Sequence, residues 1–356
     1  MRAAIIGVGL IGGSIGRAAR ERLGADVTGW DPAGAALETA CRLGALDRAA
    51  DTLEAAVADA QAVFVAAPVR ALPELIRRAL AAAPRDCVVT DVGSTKRTVV
   101  AATDDPRFVG GHPLAGAETA GVEHARADLF HDAVWYLTPT ERATGELLER
   151  LHRMIRGLGA RPTVIDAATH DTMLAAVSHL PHVLANVLVA QAASALGDSE
   201  RLPATGPSFR DATRVAGANS AIWTDIYLSN RDALIERIDD AVARLQAVRA
   251  ALEAGDEAAV TAWNDAAAAD RRRLLEAQLA GGPLHELRVS VPNEPGVIAR
   301  LALELARAGV NIVDMALYPA PDHSEGVVAL WIAGEEPARR AQAVLGEQGL
   351  PVVHAA

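Results

Sequence analysis

The sequence predicts three successive architectures: an α/β domain on a parallel sheet, an all-α segment, and a small βαββαβ module. Three observations carry that prediction. Short apolar runs alternate with helix-periodic stretches up to about residue 165, the pattern of a parallel sheet with right-handed crossovers. From about Ala167 the texture turns to long alanine-rich helical segments. Beyond Gly281, Gly282 and Pro283, period-two alternation appears in Leu287, Val289 and Val291, as in a half-buried strand. The expected domains are 1–165, 166–280 and 284–356, which suits 356 residues at roughly 100–200 per domain.

Bulk properties exclude several classes. A net charge of -11 speaks against nucleic acid, because phosphate binding needs a basic surface. Anionic membranes are disfavoured for the same reason. The 2 cysteines, Cys41 and Cys87, have no CxxC spacing, so neither a disulfide framework nor a zinc site is suggested, and a reduced, cytoplasmic setting is expected. The run after Arg2 resembles a secretory core, but glycine recurs through it and Arg17 and Arg20 follow without a cleavage site. No other segment reads as long and apolar enough to span a bilayer; the chain is expected to be soluble and unprocessed.

In the first domain, Arg2 to Gly7 reads as a strand and Gly13 to Arg22 as a helix, joined by Gly7, Val8, Gly9, Leu10, Ile11 and Gly12. In this GxGxxG the first glycine permits the turn, the second lets backbone approach a pyrophosphate, and the third lets helix pack on strand, with the helix N-terminus facing the phosphates. A second strand, Ala25 to Trp30, ends at Asp31, where a carboxylate accepts the ribose hydroxyls and repels a 2′-phosphate. A Rossmann-type domain holding NAD follows. Helices are expected over Ala33 to Leu43 and Leu72 to Ala83, and strands over Ala62 to Ala67 and Cys87 to Asp91.

Ligands in such sheets lie beyond the carboxyl ends of the strands. Three loops are expected there: Ala67 to Val69 with Pro68, Gly93 to Lys96 with Ser94, and the loop VGGHPLAGAETAG, residues 109–121. In the last, glycines crowd His112 and Pro113 follows at once, so the imidazole is expected on a rigid, tightly turned loop, as a catalytic base or as an ordinary loop histidine. Ser94 is expected to open a helix, either capping it or orienting the imidazole or the substrate. Lys96 is read equally as a phosphate or substrate contact and as a solvated first-turn lysine, and takes no role.

The middle segment begins at Asp166, a candidate N-cap for Ala167 to Gly197. Within it Ser178, His179, Leu180, Pro181 and His182 place two imidazoles on one face of a helix that Pro181 should kink. No acidic or cysteine cluster accompanies them, so no metal is assigned and a packed or substrate-facing role is expected. Asp198 to Gly206 reads as a mobile connector. Arg210 and Arg214 lie four apart beside Asp211; an arginine fork suits a carboxylate, though a surface salt bridge is the alternative. Two long helices, about Asn230 to Leu252 and Glu257 to Leu279, suit a dimer core. In the last segment Pro292 to Gly296 turn into a helix, Val297 to Arg307, closed by Gly309. Strands near Asn311 to Leu317 and Gly326 to Ile332, a helix from Pro337 to Glu347 and a strand near Val352 complete βαββαβ.

Together GVGLIGGS with Asp31, DVGSTK at Asp91 to Lys96, GGHPLAGAETAG around His112, SHLPH, and DATRVA with Trp223 resemble the prephenate dehydrogenase family of tyrosine biosynthesis. The tail, with its VPNEPG turn and GVNI strand start, looks like an ACT domain. The resemblance implies oxidative decarboxylation of prephenate to 4-hydroxyphenylpyruvate with reduction of NAD; a cytoplasmic homodimer is expected from the cysteine usage and the long helices. It implies His112 as the base that takes the hydroxyl proton and Ser94 as a hydrogen-bond partner near the nicotinamide. Arg214 would grip a substrate carboxylate, with Asp211, Glu118, His182 and Trp223 as the polar gate around it. It further implies an aromatic amino-acid effector, tyrosine first, near Asn293, Gly309 and Asn311. An acidic residue five past the histidine goes with arogenate in this family, and here that position is Ala117. Arogenate dehydrogenase and a non-catalytic NAD or amino-acid sensor are the alternatives, and no fused mutase is indicated before Met1.

Overall fold

A computed structural model of the chain describes every residue except 117–118, 141, 144, 197–204, 278–282, 293–296, 298–300, 302–303, 306, 320–324, 351 and 355–356. Two compact units divide it, Met1–Val242 and Ala243–Ala356. The helical segment expected over 166–280 is shared between them.

The first unit opens with β1 (Arg2–Ile6), whose last four residues are all buried. Then come α1 (Leu10–Leu23), closed by the left-handed Gly24, β2 (Asp26–Trp30), α2 (Gly34–Arg42), β3 (Arg48–Ala49), α3 (Leu53–Val57) and β4 (Ala62–Val65). They continue with α4 (Leu72–Ala82), which carries proline in its first turn where no N–H is missed, β5 (Val88–Asp91), α5 (Arg97–Val100) and β6 (Phe108–Pro113). The domain finishes with β7 (Val134–Pro139), α6 (Gly145–Gly157) and β8 (Arg161–Val164).

These strands form one sheet in the order β3-β2-β1-β4-β5-β6-β7-β8. The sheet is mixed where an all-parallel one was expected. β7 runs antiparallel to β6, with His112 opposite Tyr136. Neither β7 nor β8 was read from the sequence. Trp135 in β7 is fully buried and meets Phe130 and Phe64 at ring-centroid distances of 5.1 and 6.4 Å. Truncating such a ring costs about 3–5 kcal/mol, so the antiparallel return is a core element.

Beyond the sheet lie α7 (Ala167–Leu174), capped by the Asp166 carboxylate on the Thr169 N–H, a π turn over Ala175–His179, and α8 (Leu180–Leu196). The π turn stands just before Pro181, which has no N–H for the helix ladder, so the widened i→i+5 pattern takes up the break. Within the continuous run Ala167–Ala195 an 18-residue window has mean hydropathy 1.6, and the run is long and apolar enough to cross a membrane by length and composition. Its first turns carry His170 and Asp171, both buried in polar contacts, while Val187, Leu188 and Val189 on α8 are exposed. After it come α9 (Pro207–Thr213), α10 (Ser220–Ser229) and α11 (Arg231–Ala254).

The second unit holds the end of α11, α12 (Glu257–Ala277) and a four-stranded sheet of β9 (Leu284–Pro292), β10 (Ile312–Pro319), β11 (Glu325–Ala333) and β12 (Val352–His354), with α13 (Glu335–Glu347). The strand order is β10-β11-β9-β12, and every pairing is antiparallel. One sheet face, Leu287, Val289, Val328, Leu330 and Ile332, packs on Val297, Leu301, Leu305 and the buried side of α13. The other carries Trp331 with Leu284 and Leu275, and the Arg271 guanidinium lies 4.8 Å from the Trp331 ring centroid.

Candidate active site

The carboxyl ends of β1, β4, β5 and β6 lie on one edge of the sheet, since all four run parallel. Gly7 follows β1 with φ +92, and a Cβ there would meet the Ala66 carbonyl oxygen at 2.2 Å. A Cβ on Gly12 would stand 2.0 Å from the Gly7 oxygen, whereas one on Gly9 would meet nothing within 4 Å. Two glycines are therefore demanded by close packing, and the third leaves backbone open to an approaching ligand. Leu10 and Ile11 begin α1 behind Gly9. At the end of β2, Asp31 accepts the Val8 N–H and the Ala33 N–H, both at 2.8 Å, and each oxygen retains acceptor capacity for a ribose hydroxyl. A cleft of about 480 Å³ beside it is lined by Gly7, Trp30, Asp31, Pro68 and Leu75 among others. The cradle fits a dinucleotide.

His112 sits inside strand β6 and is 8% exposed. The expected tightly turned loop is corrected here. Gly110 and Gly111 serve packing, not a left-handed turn: added Cβ atoms would stand 2.3 Å from Thr138 Oγ1 and 2.5 Å from the Asp91 carbonyl oxygen. His112 Nδ1 lies 2.9 Å from His170 Nε2, and His170 Nδ1 lies 2.8 Å from Asp171 Oδ1. A carboxylate only accepts, so His170 donates from Nδ1, its Nε2 accepts, and His112 donates from its own Nδ1. That order leaves the lone pair on His112 Nε2. Burial first, then the neighbouring His170, Lys96 and His179, holds the His112 pKa well below the ordinary histidine value. Asp171 is burdened by burial, yet hydrogen bonds from His170 and from the Arg97 and Lys96 backbones keep it lower than an ordinary aspartate.

The loop after β5 departs from expectation twice. Ser94 does not open a helix; α5 begins at Arg97. The backbone N–H groups of Lys96 and Arg97 donate to the Asp171 carboxylate at 2.7 and 2.9 Å, so a side chain from α7 does the capping that Ser94 was expected to do. Lys96 is not a solvated first-turn residue either, because it is completely buried. Its Nζ donates to Asp91 Oδ2 and, at 2.7 Å, to the Gly111 carbonyl.

A second cluster surrounds SHLPH. His182 stacks on Trp223 with ring centroids 3.6 Å apart and meets the Tyr227 hydroxyl through Nδ1. His179 meets the edge of the same indole at 6.2 Å, and its Nδ1 lies 3.2 Å from Asn230 Nδ2. Burial holds His179 at about 4 and lowers His182. Asn230 also donates to the Asp171 carbonyl at 2.7 Å, so contacts run from His182 through Trp223, His179, Asn230 and Asp171 to His170. Arg214 is the C-cap of α9, so it ends the helix that carries Arg210 and Asp211; all three are exposed. Glu118, Ala117 and Asn293 lie outside the described residues, as does most of the expected connector before Gly206. Gly309 has φ +69, and Asn311 is exposed before β10.

Comparison with known proteins gives the arrangement a context. Residues 15–164 match the family model described as prephenate dehydrogenase, nucleotide-binding domain, and residues 166–264 its dimerization domain. Residues 285–344 match the ACT domain. Prephenate dehydrogenase of Bacillus subtilis is 31% identical over 349 residues, covering 95% of this chain and 94% of the relative. The chain belongs to the prephenate dehydrogenase family. Two solved structures of the family sharpen the likeness. Aquifex aeolicus prephenate dehydrogenase, in complex with hydroxyphenyl propionate and NAD+, gives a TM-score of 0.71 at 26% identity, covering 77% of this chain and 98% of that one. Synechocystis arogenate dehydrogenase gives 0.65 at 26% identity, covering 77% and 100%. This chain is an NAD-dependent oxidoreductase.

Sequence reasoning missed His170, Asp171, Asn230 and the buried Lys96. A signal for the first two was present. In AATHDTMLAAV an adjacent imidazole and carboxylate interrupt an otherwise apolar helix, and charged groups enter a core only when paired.

Proposed function

We propose that His112 is the general base in the NAD-dependent oxidative decarboxylation of prephenate to 4-hydroxyphenylpyruvate. The observation that carries this is the buried order His112, His170, Asp171 at the edge of the sheet that holds the glycine turn. Bound NAD supplies the hydride acceptor, held by Gly7, Gly9, Leu10, Ile11, Gly12, Asp31 and Pro68. His112 Nε2 takes the ring-hydroxyl proton, which raises electron density at the carbon that gives up hydride; loss of carbon dioxide then aromatises the ring. The depressed pKa keeps the imidazole neutral and ready. Ser94 orients the reacting groups beside it, and Arg214 grips a substrate carboxylate as a bidentate, always charged fork. Asp211, Glu118, His182 and Trp223 border the carboxylate site.

The Asp31 carboxylate favours NAD over NADP. Exposed apolar residues on α8 and α11, among them Val187, Leu188, Leu245 and Leu252, suit burial against a second copy in a homodimer. An aromatic amino acid, tyrosine first, is the proposed effector of the ACT domain near Asn293, Gly309 and Asn311. The two free cysteines suit a reduced cytoplasm. The likeness to an arogenate dehydrogenase structure keeps arogenate as the second reading. Spectrophotometric assay of prephenate and arogenate, each with NAD and NADP, decides: NADH formation with prephenate supports the proposal, and turnover of arogenate alone replaces it.

A further inference from the structure

Lys96 carries a charge into the core beside His112, yet it occupies no place in the chemistry described above. Its side chain and backbone reach the supports of the base from two directions. On one side, Nζ donates to the Gly111 carbonyl at 2.7 Å, while its ion-pair partner Asp91 accepts the Gly111 N–H at 3.0 Å. The residue directly before His112 is thus held at both of its backbone polar atoms. On the other side, the Lys96 N–H binds Asp171 Oδ1 at 2.7 Å, the same oxygen that His170 Nδ1 reaches at 2.8 Å. Asp91 is further held by the Gly93 N–H at 2.7 Å, and both members of the pair are 0% exposed.

Fold stability is a poor reason to keep such a pair. Burying two charges carries a large desolvation cost that their attraction must repay, and apolar replacements of like volume are often as stable. The contacts converge on the imidazole instead. We propose that Lys96 is a positioning residue for the base: with Asp91 it clamps the Gly111 peptide, and through its own N–H it fixes the Asp171 carboxylate that orients His170 and then His112. This rests on His112 being the base.

The charge adds to the geometry. Facing the imidazole and its supports are His170 and Asp171 from α7, His179 from the π turn, Tyr136 from β7, Asp91 from β5, and Lys96 with Arg97 at the start of α5. After burial and His170, Lys96 is the next cause that opposes protonation of His112, so removing its charge raises the pH at which the base becomes protonated.

The test uses the full-length protein with prephenate and NAD, comparing Lys96→Met, Lys96→Gln and His112→Asn. Lys96→Met is expected to lower kcat on the order of 10- to 100-fold with little change in KM for prephenate. It should also move the acid limb of kcat/KM upward. Lys96→Gln, which keeps an N–H for the Gly111 carbonyl but no charge, should recover part of kcat while leaving the acid limb displaced. Where the single variants do not fold, Asp91→Asn with Lys96→Met leaves no unpaired charge and should fold with the same loss of kcat. Wild-type kcat and an unmoved acid limb in a folded Lys96→Met, or wild-type kcat in the double variant, overturn the proposal. Full activity in His112→Asn overturns the base assignment instead, whatever Lys96 does.

Discussion

Two histidine clusters stand in the same unit and are built on opposite principles. His112 and His170 form a hydrogen-bonded line that ends on a carboxylate, whereas His182 lies flat against Trp223 and ends on a phenol. A carboxylate has no proton to give, so it dictates which nitrogen of every ring in its line carries hydrogen. A phenol can donate or accept and dictates nothing of the kind. Burial by itself therefore does not make a base of a histidine. The group at the far end of the line decides which nitrogen keeps its lone pair, and the stacked ring receives no such instruction.

Breaking the first line should cost most. His112→Asn should lower kcat by about 10²–10⁴-fold, the usual worth of a positioned base, while NAD affinity by fluorescence titration is retained. Asp171→Asn should come next, on the order of 10²-fold, because an amide can point an N–H at His170 and reverse the line. It also weakens the cap on the Lys96 and Arg97 N–H groups, so a Tm loss from calorimetry should accompany it. On the other side, Arg214→Ala should raise KM for prephenate about tenfold or more with kcat changed far less, as loss of uniform binding requires. An equal fall in kcat would place Arg214 in the first group.

The smallest effect is on stability. His179, buried, titrates at about 4 in the folded chain against 6.5 unfolded. The unfolded chain binds a proton between these values and the folded one does not, so stability is lost as pH falls from about 6.5 to 4. Tm at pH 5 should lie several degrees below Tm at pH 7, and His179→Gln should flatten that slope if it folds.

Much of this was legible in order along the chain. The glycine turn, Asp31 and the alternation of apolar runs identify a dinucleotide domain because each obeys a local rule of geometry, and the βαββαβ tail follows from period-two patterning. What escaped depends on contacts between distant residues. Gly110 and Gly111 look like a turn in sequence, but their smallness answers to Thr138 and Asp91 across the sheet. Ser94 has the right chemistry for a cap, yet the Lys96 N–H is held by a carboxylate 75 residues beyond Lys96. Lys96 reads equally as a ligand contact and as a solvated lysine, because nothing near it in sequence shows that Gly111 and Asp91 enclose it. The strand β7 escaped for the same reason, since its register is set by β6 and by the Trp135 cluster.

The Asp171 carboxylate touches the start of α5 and the ring of His170 at once. His170 and Asp171 sit side by side on α7, so displacing that one helix would part the ring from His112 and the carboxylate from the α5 N–H groups in a single movement.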